Sequence, residues 1–331
     1  MLRGARCPDP ARFDRAEGLD PLVAVDMRRI GVVRNPRSHG NRVHPPGPPP
    51  EGVRLVEPLG RDALRAELET FAREGLDLLV IDGGDGTVRD VISLLPHTFG
   101  EAPPLLAVLP SGKTNVLAID LGTSAAWGLE QALAAARGEE PRIKSRPPLR
   151  ISWADGRRPC LQGFFFGVGA PVKATSLAQK AHKVGVFHNF AVGLTIFTAT
   201  LGALFGGARD EWREGVPARL VLDGQEQPPG ERFAVVATAL KRLPFGLKPF
   251  GDPREGLKLL DVDAPPRRLW KAMPLVLSGK AEPRLEGLGY RRRDPSVVEL
   301  GGGAPFVLDG ETFEGGDLTI GLGPSLRFLV G

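Results

Sequence analysis

The first half of the chain alternates between apolar runs and segments whose apolar residues recur at helical spacing. Short apolar runs predict buried strands, and helical spacing predicts amphipathic helices. Strands are predicted at 27–36, 76–82 and 103–110, and helices at 62–75, 86–95 and 123–140. Strands and helices in this order form βαβ units, so the pattern predicts an α/β domain with a mostly parallel sheet. Ligands of such sheets bind at the carboxyl ends of the strands.

After residue 146 the pattern changes to short apolar strands separated by turns. The strand-like segments are 149–169, 218–225, 231–240, 257–265, 296–311 and 317–330. Their spacing predicts an antiparallel β-sandwich. Segment 173–207 is helical in pattern instead, and its residues 189–207 carry no charge. A buried or interfacial helix is favoured there over a transmembrane helix, because glycines and threonines dilute its apolarity.

These patterns divide the chain into three parts. Residues 1–27 alternate charge with proline, lack the apolar core of a secretory signal and are predicted to be poorly ordered. Residues 28–146 form the predicted α/β domain. Residues 147–331 form the predicted β-sandwich domain, which contains the helical insertion at 173–207.

Composition places the chain among globular proteins with a mild basic excess. Of its 331 residues 42% are hydrophobic and 25% charged, the net charge is +4 and the pI is near 9.3. This charge suits a phosphorylated ligand or an anionic membrane face, but without aromatic-rich or nucleic-acid motifs it excludes nucleic acid as the expected partner. The two cysteines, Cys7 and Cys160, show no metal-ligand spacing and are predicted to be free thiols in the cytoplasm.

The strongest chemical motif is the pentapeptide GGDGT at 83–87, between a predicted strand and a predicted helix. Its glycines Gly83, Gly84 and Gly86 allow positive φ and close approach of a ligand to the backbone. Unpaired amides at the start of the following helix attract phosphate. Asp85 would repel a phosphate unless a divalent metal or a hydroxyl lies between them, which suggests metal or base chemistry. A simple turn in which Asp85 caps the helix remains the alternative.

Three further polar turns follow apolar strands. They lie at Asn35–Gly40, Pro110–Asn115 and Asp309–Glu311. The first two follow strands of the predicted parallel sheet, and the third places two carboxylates in one turn. Taken singly, each is explained as a loop, a helix cap or a hairpin turn.

Together these motifs resemble the diacylglycerol kinase catalytic-domain family of lipid kinases, which includes sphingosine, ceramide and soluble bacterial diacylglycerol kinases. The resemblance covers about residues 28–331. It rests on GGDGT at 83–87, NPRS at 35–38, PSGKTNVLA at 110–118, FFFGVG at 164–169, DPREGLKLLDV at 252–262, and DGE at 309–311 followed by LTIGLGPSLRFL.

The resemblance implies an ATP-dependent kinase with an α/β domain, like those of NAD kinases and phosphofructokinases, and a β-sandwich lipid domain whose C-terminal tail packs back toward the cleft. It implies that Glu311 accepts the lipid hydroxyl proton, supported by Asp309, and that Asp85 holds Mg²⁺ through the nucleotide. An auxiliary structural Mg²⁺ site would involve Glu255. The implied nucleotide-binding residues are Asn35, Pro36, Ser38, Gly83, Gly84, Asp85, Gly86, Thr87, Gly112, Lys113 and Asn115.

Four positions depart from the pattern of the soluble bacterial members. Those members usually carry threonine at the positions of Glu57 and Lys113, and aspartate at the positions of Val116 and Glu255. Changes at 57 and 113 alter the implied nucleotide site, and changes at 116 and 255 alter carboxylate networks tied to Mg²⁺. Lys113 is interpreted either as a point charge for a phosphate or as an outward lysine on a turn.

Three functions follow as hypotheses. The leading one is a cytoplasmic lipid kinase, peripherally bound to the inner face of an anionic membrane, that phosphorylates diacylglycerol, a sphingoid lipid or ceramide. The second is a kinase for a soluble substrate such as NAD, and the third is a lipid-binding pseudokinase. A homodimer is kept open as the assembly.

Overall fold

The computed structural model describes residues 29–138, 140–183, 213–280 and 283–331. Within these ranges the chain forms two compact units. The first contains residues 29–148 together with Gly323–Gly331, and the second contains Leu149–Leu322. The chain passes from the first unit to the second after Pro148 and returns after Leu322. These two points are adjacent, because the amide of Gly323 donates to the carbonyl of Pro148 over 2.8 Å. The predicted disorder of 1–27 lies outside the described residues.

A six-stranded sheet forms the centre of the first unit. Its strands are β1 Ile30–Arg34, β2 Val53–Val56, β3 Leu78–Gly83, β4 Leu105–Pro110, β5 Arg142–Arg146 and the C-terminal β19 Leu326–Val330. The order is β2-β1-β3-β4-β19-β5, with every pair parallel except β19 and β5. The helices are α1 His39–Val43, α2 Arg61–Glu74, α3 Asp85–Thr98, α4 Val116–Leu121 and α5 Leu129–Arg137.

The central strands are buried on both faces, which explains their continuous apolar runs. All six residues of β3 are buried, and α2 covers the sheet with Leu64, Leu68 and Phe71. The mostly parallel α/β arrangement predicted from the sequence is therefore confirmed. Two helices differ from their predicted bounds: α3 spans Asp85–Thr98 instead of 86–95, and the helix predicted over 123–140 is confined to Leu129–Arg137, where Gly128 is the N-cap.

The second unit is an antiparallel β-sandwich, also as predicted. One sheet has the order β11-β10-β15-β18-β6-β7 and the other β14-β13-β12-β8-β16-β17, with β9 beside β12. The strands are β6 Leu149–Trp153, β7 Leu161–Gly163, β8 Phe165–Gly169, β9 Val216–Pro217, β10 Arg219–Leu222, β11 Gln225–Glu226, β12 Glu231–Thr238, β13 Lys258–Asp263, β14 Tyr290–Arg293, β15 Val298–Gly301, β16 Phe306–Leu308, β17 Glu311–Phe313 and β18 Leu318–Leu322.

Both sheets contribute to one core, in which Ile151 and Ile320 of the first sheet pack with Phe166, Val235 and Phe306 of the second. Within the part of this unit that the structure describes, three α-helices accompany the sandwich: α6 Ala170–Lys183, α7 Leu269–Leu277 and α8 Pro283–Gly287. Helix α6 covers the start of the predicted insertion at 173–207. The uncharged stretch 189–207 lies outside the described residues. No helix among the described residues combines the length and apolarity needed for crossing a membrane.

Cys160 is disulfide-bonded, so the prediction that it is a free thiol is wrong. Cysteine spacing alone does not reveal whether a thiol is oxidised. Cys7 lies outside the described residues.

The C-terminal strand β19 should be a major source of stability for the first unit, because it fills the gap between β4 and β5. Phe328 is fully buried in β19, so Phe328→Ala should lower the free energy of unfolding by about 3–5 kcal/mol. Arg327 is exposed in the same strand, and Arg327→Ala should change the free energy of unfolding by less than about 0.5 kcal/mol. Urea unfolding measures both. Equal stability of the two variants would contradict this role of β19.

Candidate active site

A buried carboxylate joins three loops at the carboxyl edge of the parallel sheet. Asp82, near the end of β3, is 3% exposed. Its Oδ2 accepts from Nε of Arg34 at 2.8 Å, and its Oδ1 accepts from Nδ2 of Asn41 at 3.0 Å and from Oγ of Ser111 at 2.6 Å. These partners follow or end the neighbouring strands β1 and β4. One side chain therefore fixes the turns after three adjacent strands.

The Asn35 turn is fixed to GGDGT by hydrogen bonds as well. The amide of Asn35 donates to the carbonyl of Asp82 over 2.9 Å, and Nδ2 of Asn35 donates to Oγ1 of Thr87 over 3.0 Å. Its Oδ1 accepts from the amide of Arg37 at 3.0 Å, which closes a turn around Pro36. The structure thus brings two of the predicted motifs together.

Gly83 and Gly84 of GGDGT are required by close packing, not by positive φ. None of Gly83, Gly84 and Gly86 has a left-handed backbone, so the expectation of positive φ is wrong. A Cβ on Gly83 would lie 2.5 Å from Oγ1 of Thr87. A Cβ on Gly112 would lie 2.5 Å from Cα of Gly84. The GGDGT and PSGKTN turns therefore touch backbone to backbone, and side chains would push them apart.

Asp85 links the same two turns through its side chain. It is the first residue of α3, but its carboxylate faces the start of α4, where Oδ2 accepts from Oγ1 of Thr114 at 2.6 Å and Oδ1 from the amide of Leu117 at 3.4 Å. Desolvation raises the pKa of Asp85 above its ordinary 3.8, opposed by the Thr114 hydroxyl and by backbone amides of α4. The alternative that Asp85 caps its own helix is not what the structure shows.

The PSGKTN turn is closed by Asn115, which has a positive φ of 50°. Its Nδ2 donates to the carbonyls of Pro110 and Gly112, each at 3.0 Å, and its Oδ1 accepts from the amide of Gly112 at 2.8 Å. Lys113 is exposed on this turn. Desolvation lowers the pKa of Lys113, and the nearby charge of Arg42 lowers it further. Two cations are therefore close together beside the turns.

Ser38 supplies a hydroxyl that fits a ligand. It is 8% exposed, and its Oγ has no hydrogen-bond partner among the described residues. A buried hydroxyl without a partner is costly, and a phosphate oxygen would satisfy it. Ser38 lies two residues from Pro36 in the turn that Asp82 and Thr87 hold.

The second unit places Asp309 and Gly310 in the tight turn between β16 and β17. Both have positive φ, 47° and 81°, as two-residue hairpin turns require. Asp309 accepts from the amides of Phe164 and Phe165 at 2.9–3.1 Å, so its carboxylate anchors the turn to the FFFGVG segment. Glu311 begins β17 and is exposed. Asp309 therefore positions the turn that presents Glu311.

The four departures from the family pattern lie at different kinds of position. Glu255 forms a salt bridge with Lys241, and Glu57 is exposed just after β2. Val116 is the first residue of α4. In the described ranges, no three His, Cys, Asp or Glu side chains gather as a metal site. The role of Glu255 in a structural Mg²⁺ site stays a prediction.

Sequence reasoning missed several residues of this site. The structure adds Arg34, Asn41, Asp82, Ser111 and Thr114. One signal was available: Asp82 is a carboxylate at the end of a strand that is otherwise apolar, LLVID. Its partners lie 29 to 48 positions away in sequence, so the pattern alone did not identify them.

Comparison with known proteins agrees with this fold and these motifs. The sequence profile of the diacylglycerol kinase catalytic domain matches residues 50–144. Two Pseudomonas aeruginosa proteins, from strains UCBPP-PA14 and PAO1 and both named "probable lipid kinase YegS-like", are 28% identical over 266 residues, which cover 80% of this chain and 79% of theirs.

Solved structures support the fold. A diacylglycerol kinase from Bacillus anthracis has a TM-score of 0.60 at 16% identity, covering 92% of this chain and 98% of its own. Another B. anthracis structure reaches a TM-score of 0.63 at 14% identity over the same shares. Residues 50–144 are thus similar to the diacylglycerol kinase catalytic domain, and the two curated relatives carry the name of probable lipid kinases.

The residues present fit a nucleotide and its metal. The Ser38 hydroxyl and the cations Lys113 and Arg42 suit phosphate oxygens. Magnesium in phosphoryl-transfer sites is held by one or two carboxylates together with phosphates and waters, so the desolvated Asp85 is sufficient as a protein ligand.

Loss of the Asp82 carboxylate should destabilise the first unit strongly. Asp82→Ala leaves Arg34 as an unpaired buried charge, which costs about 3–5 kcal/mol, and also removes the acceptor of Asn41 and Ser111. Asp82→Asn can keep the Oδ1 hydrogen bonds and should cost less. Glu69→Ala breaks an exposed ion pair with Arg65 and should cost about 0.5 kcal/mol or less. Urea unfolding ranks the three variants, and a different order would contradict the assigned contacts.

Asp85 should make stability depend on pH. The pKa of Asp85 is higher in the folded state than in the unfolded state, so the folded state favours the protonated form. The contribution of Asp85 to stability is therefore fully present below the unfolded-state pKa and is lost as pH rises through the folded-state pKa. Asp85→Asn does not titrate. Its free energy of unfolding relative to the wild type should therefore rise with pH across the acidic range and then level off.

Urea unfolding at a series of pH values measures this difference. Thr114→Val removes a hydrogen bond that lowers the pKa of Asp85, so in that variant the loss of stability with rising pH should extend to higher pH. A relative stability of Asp85→Asn that is independent of pH, or that falls as pH rises, would show that the folded state does not raise this pKa.

Proposed function

We propose that this protein transfers the γ-phosphoryl group of ATP to a hydroxyl group of a membrane lipid, either diacylglycerol or a sphingoid lipid or ceramide. The observation that carries the proposal is the desolvated carboxylate of Asp85, held by Thr114 and Leu117 where the GGDGT and PSGKTN turns meet. Phosphoryl transfer depends mainly on positioned charge, and this arrangement positions one.

The residues of the first unit would bind and orient the nucleotide. Asp85 would hold Mg²⁺, which neutralises charge on the phosphates when bound. Ser38 would donate its unpaired hydroxyl hydrogen to a phosphate oxygen, and Lys113 with Arg42 would balance phosphate charge. Asn115 would act indirectly, because its amide group is used in closing its own turn.

Glu311 would accept the proton of the lipid hydroxyl. The hydroxyl oxygen forms a bond to the γ-phosphorus, the bond from that phosphorus to the β,γ-bridging oxygen breaks, and ADP leaves. Asp309 would keep Glu311 in place through the amides of Phe164 and Phe165. We further propose a cytoplasmic enzyme that acts at the inner face of the membrane.

Activity assays test this proposal. The full chain is incubated with γ-labelled ATP and Mg²⁺, and with diacylglycerol, sphingosine, ceramide, phosphatidylglycerol or NAD. A labelled lipid is expected. Asp85→Asn and Glu311→Gln should each lower turnover about 10²-fold or more, as does removal of one preorganised electrostatic group.

Matched acidic residues provide the controls. Asp62 is in the first turn of α2 and Glu314 is exposed just after β17, so Asp62→Asn and Glu314→Gln should keep full activity. Full activity of Asp85→Asn with every lipid would contradict the proposal. Phosphorylation of NAD with no lipid product would indicate a soluble-substrate kinase, and ATP binding without transfer would indicate a pseudokinase.

A further inference from the structure

Helix α7 of the second unit is apolar on its exposed side as well as on its buried side. Its sequence, LWKAMPLVL, contains one charged residue, Lys271. Leu269, Ala272 and Val276 pack into a core cluster with β12 and β13. On the other side Trp270 is 47% exposed, and Pro274 is exposed too. A surface helix normally turns polar residues to solvent, so this helix has a second apolar face to explain.

The exposed side of α7 is not needed for its own attachment. The buried side is held by the core cluster, and Arg292 donates from Nη2 to the carbonyl of Val276 over 2.9 Å and from Nε to that of Pro249 over 2.9 Å. The amide of Lys248 donates to the carbonyl of Leu277 over 2.8 Å. The helix is thus held on its buried side and at its C-terminal end.

Exposed cations lie within α7 and next to it in the sequence. Segment 267–280, which includes α7, has no acidic residue, and its four cations, Arg267, Arg268, Lys271 and Lys280, are all exposed. The adjacent segment 240–251 also has no acidic residue and carries Phe245, which is 56% exposed. We call the exposed side of α7, these four cations and the turn Pro244–Gly246 the α7 face.

The chemistry of the α7 face matches an anionic bilayer. Helices that lie in the membrane interface combine an apolar side, an interfacial aromatic residue and flanking cations. Each lysine or arginine near an anionic surface contributes about 1 kcal/mol, or about a fivefold gain in binding. We propose that the α7 face docks on an anionic phospholipid bilayer and lies in its surface plane. This inference rests on the proposed function for its role, which is to bring the enzyme to its lipid.

Vesicle binding without ATP tests the docking surface. The full chain is sedimented with vesicles of phosphatidylcholine alone or with added phosphatidylglycerol, and binding is expected only to the latter. Lys271→Gln should weaken binding about fivefold. Trp270→Gln should weaken it about tenfold or more, because the exposed half of a large side chain loses its apolar burial.

Exposed residues away from the α7 face provide matched controls. Leu59 in the first unit is 72% exposed, and Arg157 is exposed between β6 and β7. Leu59→Gln and Arg157→Gln should bind vesicles like the wild type. Wild-type binding by Trp270→Gln and Lys271→Gln would overturn the proposal. So would a change of oligomeric state in these variants without a change in vesicle binding, since the face would then contact a second copy of the chain.

Activity separates this inference from the proposed function. On lipid dispersed in detergent, Trp270→Gln should turn over like the wild type, whereas on anionic vesicles it should be slower. Vesicle binding that depends on the α7 face, with no lipid phosphorylated, would refute the kinase and leave the docking surface standing. Phosphorylation of dispersed lipid together with unchanged vesicle binding by both α7 variants would refute the docking surface alone.

Discussion

The pairing of Asp82 with Arg34 is the constraint on which the rest of the candidate site depends. Both side chains are almost fully buried, so removing each charge from water has a large desolvation cost. The attraction within an ion pair alone often does not offset this cost. Here Asn41 and Ser111 supply further hydrogen bonds to the same carboxylate. Because Asn41 and Ser111 follow β1 and β4, and Asp82 lies near the end of β3, the carboxylate is satisfied only when the segments after all three strands adopt one arrangement. The pair therefore specifies loop geometry more than it adds stability.

That geometry allows two turns to touch at Gly84 and Gly112 and places Asp85 over the start of α4. A desolvated carboxylate opposes folding at neutral pH, since the folded state favours its protonated form. A fold that only needed a helix cap would gain more from a serine or threonine at this place. An ionisable, desolvated acid between two glycine-containing turns is more typical of a functional site than of a structural one.

The sequence predicted those parts of the fold that depend on local patterns. The apolar runs of β1, β3 and β4 specify buried strands, and polar residues after them mark the ligand edge. Other features depend on distant partners. Four of the five residues of β19 are apolar, as in other buried strands, and nothing in them shows that they pair with β4 and β5. The role of Asp82 likewise depends on Arg34, 48 positions away, and the close approach of Gly84 and Gly112 depends on tertiary packing.

In each unit, an acid that accepts hydrogen bonds within the protein lies close in sequence to a second acid with a different environment. In the first, Asp82 is saturated by hydrogen bonds while Asp85, three positions on, lies where the GGDGT and PSGKTN turns meet. In the second, Asp309 is used by the amides of Phe164 and Phe165 while Glu311, two positions on, is exposed. Loss of either anchoring acid would displace the acid beside it and so mimic loss of the group proposed to act in catalysis. Activity alone therefore does not identify the reacting acid. Only a variant that is at least as stable as the wild type and loses turnover does so, and Asp85 and Glu311 are the positions where the contacts allow that outcome.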